Sequence, residues 1–242
     1  MKVSLLNDGP VTIDLDSKDL KIQFICGIIK RMNTMIKTKI FNVTELMTNC
    51  TYLVDESTGK SAVSDPGARN EKLIELIRQN GGKLEYIFLT HGHFDHIGFA
   101  KELAEMFSAK IVTGKDNADF PADPKLNLGI YHGIEIEPIE ADVLLADGDT
   151  VMLGDTEIKN ITTPGHTKGC GCFIFNETII AGDTLFCESY GRTDLPTGDE
   201  SCMISSLKKL FALEGDSQVI PGHGSLTTLS HERKYNPLIR SF

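Results

Sequence analysis

The sequence feature that most constrains the fold is a group of three histidines and one aspartate within six residues. It directly follows an apolar segment, residues 86–89, whose aromatic and branched side chains predict a buried strand. On its other side, apolar residues recur at helical spacing over residues 97–107 and predict a helix. The group therefore lies on a loop that regular structure holds at both ends. Its members are His91, His93, Asp95 and His96.

The spacing of these side chains predicts metal binding. His91 and His93 stand two residues apart and can chelate one ion from a tight turn, whereas the adjacent Asp95 and His96 can turn toward a second ion. Imidazole nitrogens and carboxylate oxygens are ligands that zinc and iron both accept. A polar surface loop with scattered histidines is the alternative. Clustered His and Asp beside a buried strand are costly to hold together without an ion, which favours the metal site.

The pattern H-x-H-x-D-H resembles the signature of the metallo-β-lactamase-fold hydrolases. Three further ligands that this family carries in a set order have counterparts in His166 of TPGHT, Asp183 of AGDTLF and His223 of PGHG. The resemblance covers residues 38–242 and implies an α/β fold, the αββα sandwich, in which two mixed β-sheets are flanked by helices. Residues 1–37 form an N-terminal extension outside the pattern, and the sequence assigns them no role.

The resemblance implies a centre of two divalent metal ions, with zinc expected and iron or manganese as alternatives. The family's ligands correspond to His91, His93 and His166 for the first ion, to Asp95, His96 and His223 for the second, and to Asp183 as the bridge. Asp95 and Asp183 are also the predicted catalytic residues. Two cations can activate a shared water as a bridging hydroxide, so attack on a carbonyl needs no Ser or Cys nucleophile. The chain contains no G-x-S-x-G motif that would supply one.

The residue type at position 183, Asp, narrows the range of reactions that the resemblance implies. The common zinc β-lactamases carry Cys at this step, whereas glyoxalase II-like thioesterases, lactonases and tRNA-processing nucleases carry Asp. The segments after Asp183 and His223 look like those of small glyoxalase II-like proteins. We therefore expect a metal-dependent hydrolase that acts on a small thioester. An iron-dependent persulfide dioxygenase and a lactonase of the same fold are the alternatives.

Two residues are candidates for substrate binding. True glyoxalase II has a basic residue near the position of Arg192 that helps to bind glutathione, and Tyr190 is a second candidate here. The alternative for Arg192 is an ion pair with Asp194 or Asp199. Only residues 224–242 follow His223. That is too few for the C-terminal helical domain of glyoxalase II, so we expect weaker glutathione specificity.

Four other residues leave alternatives open. Asp65 is either an acceptor for a ligand imidazole N–H or a turn residue before Pro66. We expect His132, in the loop-rich segment 114–140, to be a surface or lid residue. Cys170 and Cys172 form a C-x-C pair that can serve metal or redox chemistry, but small core cysteines are the favoured interpretation.

Composition excludes several other functions. A net charge of −10, from 24 basic and 34 acidic residues, argues against a nucleic-acid surface. The apolar runs are too short for a signal peptide or a membrane span, and six cysteines in 242 residues do not suggest a disulfide framework. We expect a cytoplasmic protein with a small-molecule acyl substrate and neither nucleic-acid nor membrane partners. The sequence leaves the oligomeric state unknown.

Overall fold

The first of two six-stranded sheets is built from the N-terminal half of the described chain. The computed structural model describes residues 36–238, so most of the extension predicted at 1–37 lies outside the described residues. Strands β1 to β3 pair in antiparallel fashion, and β3 to β6 continue in parallel. In spatial order they are β1 Ile36–Val43, β2 Thr48–Asp55, β3 Ser61–Ser64, β4 Leu84–Leu89, β5 Lys110–Gly114 and β6 Val143–Leu145.

The second sheet comes from the C-terminal half. All its neighbours are antiparallel except β10 and β13, which run parallel. In spatial order the strands are β14 Thr227–Thr228, β13 Gln218–Pro221, β10 Thr178–Gly182, β9 Gly171–Phe175, β8 Thr156–Thr162 and β7 Thr150–Leu153. A separate hairpin pairs β11 Leu185–Phe186 with β12 Ser189–Tyr190.

The described residues form six α-helices, which are α1 Glu71–Gln79, α2 Phe94–Ile97, α3 Ala100–Phe107, α4 Gly129–His132, α5 Glu200–Phe211 and α6 Leu229–Tyr235. Four of these six pack on the outer faces of the sheets, α1 and α3 on the first and α5 and α6 on the second. The Asp199 side chain accepts from the Cys202 N–H and caps the start of α5, and α1 ends before Gly81. No helix in this described range is long and apolar enough to cross a membrane.

Strand β4 explains how the layers pack. Ile87 and Leu89 face the cluster formed with α1 and α3, whereas Phe88 faces the other sheet and lies 4.7 Å from the Phe173 ring, centroid to centroid. Both faces of β4 are therefore buried, which is why its sequence is a continuous apolar run rather than an alternating one. A third cluster packs α5 on the outside of the second sheet. The four layers confirm the predicted αββα sandwich.

The predicted continuous helix over residues 97–107 is wrong, because the chain breaks it into α2 and α3. The Phe99 N–H donates to the Pro66 carbonyl at 2.9 Å, outside the helix. A Cβ on Gly98 would lie 2.4 Å from the Gly67 carbonyl oxygen, so only glycine allows this approach. Tertiary contacts with the β3–α1 loop therefore override the apolar spacing that predicted one helix.

Candidate metal centre

The seven predicted metal ligands lie at one edge of the sandwich, where strands of both sheets end. The first sheet contributes the loop after β4 and the short helix α2. The second sheet contributes the β8–β9 loop and the ends of β10 and β13. All seven side chains are buried except that of His223, which is 25% exposed. The structure thus brings together His91, His93, Asp95, His96, His166, Asp183 and His223.

One group of three histidines converges through ring nitrogens. His93 Nδ1 lies 3.0 Å from His91 Nε2 and 2.9 Å from His166 Nε2. The ring of His166 donates its Nδ1–H to the Arg192 carbonyl at 2.7 Å, which leaves the Nε2 lone pair pointing at the group. Burial and neighbouring imidazoles lower the pKa of His93 to about 3 and that of His91 well below its usual value. Neutral imidazole nitrogens that face one another in this way fit a bound cation.

A second group joins one carboxylate to two histidines. Asp95 Oδ2 lies 3.2 Å from His223 Nε2 and 3.5 Å from His96 Nε2. The His223 ring donates its Nδ1–H to the Leu46 carbonyl at 3.0 Å, so Nε2 again carries the lone pair. The Thr48 hydroxyl donates to Asp95 Oδ2 at 3.0 Å and orients that oxygen.

The Asp183 carboxylate lies between the two groups. Its Oδ1 is 3.4 Å from His96 Nε2, while its Oδ2 is 3.5 Å from His166 Nε2 and 3.6 Å from His223 Nε2. Oδ1 is buried and accepts no hydrogen bond from the described residues. Such an oxygen is costly to bury unless a cation satisfies it. A Cβ at Gly222 would lie 2.0 Å from this oxygen, so the chain leading to His223 needs glycine there.

The electrostatics of the second group also call for positive charge. Burial lowers the pKa of His96, but the carboxylates of Asp95, Asp183 and Asp65 outweigh burial and raise it to about 10. Burial raises the pKa of Asp95, yet the imidazoles of His96 and His223 hold it well below its usual range. The buried carboxylates thus favour a cationic partner, and a divalent ion in each group would supply it. The seven residues fit two such ions.

Asp65 supports the centre from behind. Its Oδ2 lies 3.3 Å from His96 Nδ1, and its two oxygens accept from the Thr90 N–H and hydroxyl at 2.8 Å each. Asp65 also has a φ of 50°, in the left-handed region, as it ends β3. Asp65 therefore makes the turn that one alternative predicts, and its carboxylate lies beside His96 Nδ1, while acceptance of the imidazole N–H stays a prediction.

The two predicted substrate-binding residues are not part of the cluster formed by the seven candidate metal ligands. Arg192 forms a two-point ion pair with Asp194 at 2.6 Å, and both side chains are about two-thirds exposed. This is the ion-pair alternative, while Asp199 serves as the cap of α5. Tyr190 is half-buried and packs against the apolar cluster beneath α5. Substrate binding by either residue stays a prediction.

The other residues singled out from the sequence occupy structural positions. His132 is exposed, and its ring lies 4.5 Å from that of Phe94, as expected for a surface or lid residue. Cys170 and Cys172 are buried and free, and burial raises their pKa values to about 12 and about 11. A core role for both cysteines agrees with this burial.

Sequence reasoning missed Thr48 and Asn49, at the start of β2. Thr48 orients Asp95, and an isolated β-bridge pairs it with His223. The Asn49 side chain donates to the carbonyls of Pro221 and Gly224, on either side of the His223 loop. The sequence indicates these contacts only by two polar residues at the start of an apolar strand. That pattern is too weak to identify partners more than 170 positions away.

Comparison with known proteins supplies the family. Residues 43–223 match the profile of the metallo-beta-lactamase superfamily. The chain belongs to this superfamily. Hydroxyacylglutathione hydrolase GloC of Haemophilus influenzae is 34% identical over 212 residues, which are 84% of this chain and 98% of that protein.

Two solved structures add to this finding. The BLEG-1 B3 metallo-beta-lactamase is 30% identical with a TM-score of 0.79, over 84% of this chain and 99% of that one. TTHA1623 in a di-iron-bound form is also 30% identical, with a TM-score of 0.72, over 83% of this chain and 99% of that one. Metallo-hydrolase chemistry at the cluster of seven is consistent with all three relatives.

Proposed function

We propose that this protein is a dinuclear metal-dependent hydrolase that cleaves a small acyl thioester. The observation that carries the proposal is the Asp183 carboxylate, whose Oδ1 lies near His96 and whose Oδ2 lies near both His166 and His223, so that it contacts both ligand groups. A carboxylate in this position would offer oxygens to both ions of a two-metal site. The 34% identity to a hydroxyacylglutathione hydrolase favours a thioester over other acyl substrates. The donor set of His and Asp accepts zinc, iron or manganese, and we propose zinc.

Two bound divalent ions would supply an activated water and a Lewis acid for the acyl oxygen. The chain's own residues fix the geometry in which this chemistry takes place. His166 and His223 donate their Nδ1–H groups to backbone carbonyls, which locks both rings in the tautomer that presents Nε2. Asp183 spaces the two groups, and Thr48 fixes the oxygen of Asp95.

The charges near the centre bear on the acyl thioester that we propose. Arg192 is the candidate cation for a glutathione carboxylate, but Asp194 already occupies its guanidinium. A glutathione carboxylate must therefore compete with Asp194 for Arg192. A second cation, Lys168, is exposed two positions beyond His166, and its Nζ lies 5.7 Å from the centre of the Phe120 ring. We propose a high KM for glutathione thioesters and a kcat set by the metal centre.

The test is a panel of substrates given to protein of known metal content. We expect about two metals per chain and hydrolysis of both S-D-lactoylglutathione and a thioester without glutathione. Removal of the metals with a chelator should abolish turnover, and two equivalents of Zn²⁺ should restore it. The panel also contains a lactone and a β-lactam, because one similar structure is a B3 metallo-beta-lactamase.

Two results would overturn the proposal. Fully metallated protein that hydrolyses no thioester would place lactones or β-lactams first. Full activity with about one iron per chain, accompanied by oxygen uptake on glutathione persulfide, would indicate a persulfide dioxygenase. A cytoplasmic location and the lack of nucleic-acid and membrane partners stay part of the same proposal.

A further inference from the structure

A second cluster of metal-ligating side chains lies between the β11–β12 hairpin and helix α6. Cys187, His231 and Glu232 each present one ligand atom, and these three atoms lie within 4.8 Å of one another. None of them belongs to the seven residues of the candidate centre. We propose that these three residues form an additional divalent-metal site, selective for a borderline-soft ion such as Zn²⁺.

Glu232 is the fixed member of this cluster. Its carboxylate is buried, yet it accepts hydrogen bonds from the Thr227 hydroxyl at 2.6 Å, the Asn236 amide at 2.8 Å and the Glu188 N–H at 3.0 Å. Carboxylates that bind metals are commonly held by such hydrogen bonds. These three donors face a carboxylate with about four lone-pair sites, and the Glu188 N–H is shared by both oxygens at 3.0 Å to each, which leaves capacity for one further partner. An ion would therefore meet a carboxylate that is already oriented.

His231 is oriented by a different carboxylate. Its Nε2 lies 2.9 Å from Glu188 Oε1, and its ring packs 4.7 Å from that of Tyr235. Donation of a ring N–H to a carboxylate is the usual support for a metal-ligating histidine, since it fixes the tautomer and raises the basicity of the other nitrogen. Glu188 belongs to the two-residue turn of the hairpin, next to Cys187.

The chemistry of the donors selects the ion. A thiolate sulfur, an imidazole nitrogen and a carboxylate oxygen are the three ligand types that zinc accepts, and three protein ligands leave a fourth position for water. Cys187 is exposed, so its thiol proton passes to solvent when the ion binds. A tetrahedral ion holds its ligand atoms roughly 3.3–3.8 Å apart. The Cys187 side chain is exposed, so its rotation can bring the sulfur to this spacing.

Cobalt spectroscopy tests the site without reference to catalysis. The proposed dinuclear centre contains only His and Asp ligands, so it gives no thiolate-to-cobalt charge transfer. Protein whose centre is already filled with Zn²⁺ is titrated with Co²⁺, and we expect a near-ultraviolet charge-transfer band that saturates at one equivalent. Elemental analysis of zinc-loaded protein should show one zinc more than the dinuclear centre requires.

Three variants make the test decisive. Cys187→Ser should remove the band and the additional equivalent of zinc, while the control Cys202→Ser, at another free and partly exposed cysteine, should leave both unchanged. His231→Asn should weaken Co²⁺ binding on the order of tenfold or more. Absence of the band in the wild-type protein would overturn the proposal, as would a band that persists in Cys187→Ser. Thioesterase activity enters neither outcome, so this test and that of the proposed function fail independently.

Discussion

Replacement of Asn49 by Ala should loosen the loop that carries His223. The Asn49 side chain is buried, and its Nδ2 donates to the Pro221 carbonyl at 2.9 Å and to the Gly224 carbonyl at 3.0 Å. The Asn49 backbone N–H adds a bond of 2.7 Å to the Gly222 carbonyl, which the substitution leaves intact. One residue of the first sheet thus holds a loop of the second sheet on both sides of a candidate ligand.

The magnitude follows from the two side-chain hydrogen bonds. Each contributes about 0.5–1.5 kcal/mol net, and a buried carbonyl left without a donor costs about 1–3 kcal/mol. We expect Asn49→Ala to lower the free energy of unfolding by about 2–4 kcal/mol. Loss of a residue that supports a metal ligand typically weakens metal binding by about 10–100-fold. The ion held by Asp95, His96 and His223 should therefore bind that much more weakly.

Urea unfolding of the metal-free protein measures the first effect, and calorimetric titration with Zn²⁺ measures the second. Asn42→Ala is the matched control. Asn42 is exposed, and its amide donates to Asn49 Oδ1 at 2.7 Å and to the Met47 carbonyl at 3.5 Å but not to the His223 loop, so we expect a loss of about 1 kcal/mol or less. Unchanged stability and zinc affinity in Asn49→Ala would refute the reasoning. Equal losses in both variants would show that the Asn49 contacts to the His223 loop are not the cause.

Four other substitutions test the centre, the substrate and the fold. Asp183→Asn should lower kcat on the order of 100-fold with little change in unfolding, and normal turnover with both metals retained would contradict the bridging role. Arg192→Ala should raise KM for a glutathione thioester but not for a thioester without glutathione. Asp194→Asn frees the guanidinium and should lower KM for the glutathione thioester. Equal effects on the two substrates would show that Arg192 supports the fold rather than binding glutathione. Burial raises the pKa of Asp55, but hydrogen bonds from Ser57, Thr156 and Thr58 outweigh burial and lower it in the folded state. Asp55 therefore stabilises the fold above the unfolded pKa of about 3.9, and stability is lost as pH falls through the folded pKa. The difference in the free energy of unfolding between wild type and Asp55→Asn should become smaller as the pH is lowered. A difference that does not depend on pH would exclude stabilisation by the ionised Asp55 carboxylate.

The sequence predicts most of the candidate centre because local chemistry carries the information. His91, His93, Asp95 and His96 are close in the chain, so a strand end and one helical turn bring them together without help from distant residues. The other three ligands, His166, Asp183 and His223, follow strands β8, β10 and β13. Their assignment comes from the family resemblance, because the set order of the family's ligands implies that these loops meet.

The features that the sequence did not predict depend on contacts between distant segments. The break at Gly98 arises from the backbone of Gly67, and no apolar spacing records that approach. Strand β6, Val143–Leu145, is only three residues long and follows a loop-rich segment, so its pattern is too short to identify. For Arg192, the ion pair with Asp194 depends on side-chain positions that the neighbouring residue types do not specify.

The position of Asp183 shows why the sandwich is needed for the site. The first sheet delivers His96 and the other ligands after β4, and the second sheet delivers His166 and His223, so neither sheet alone surrounds an ion. Asp183 lies within 3.6 Å of ligand nitrogens from both sheets. The distance between the two groups is therefore set by the packed layer between the sheets. Because packed interiors deform little, this layer holds the two groups at a fixed spacing. Reactions that need two ions at a set separation are favoured by such rigidity, and the same core that stabilises the fold thereby determines the geometry of the centre.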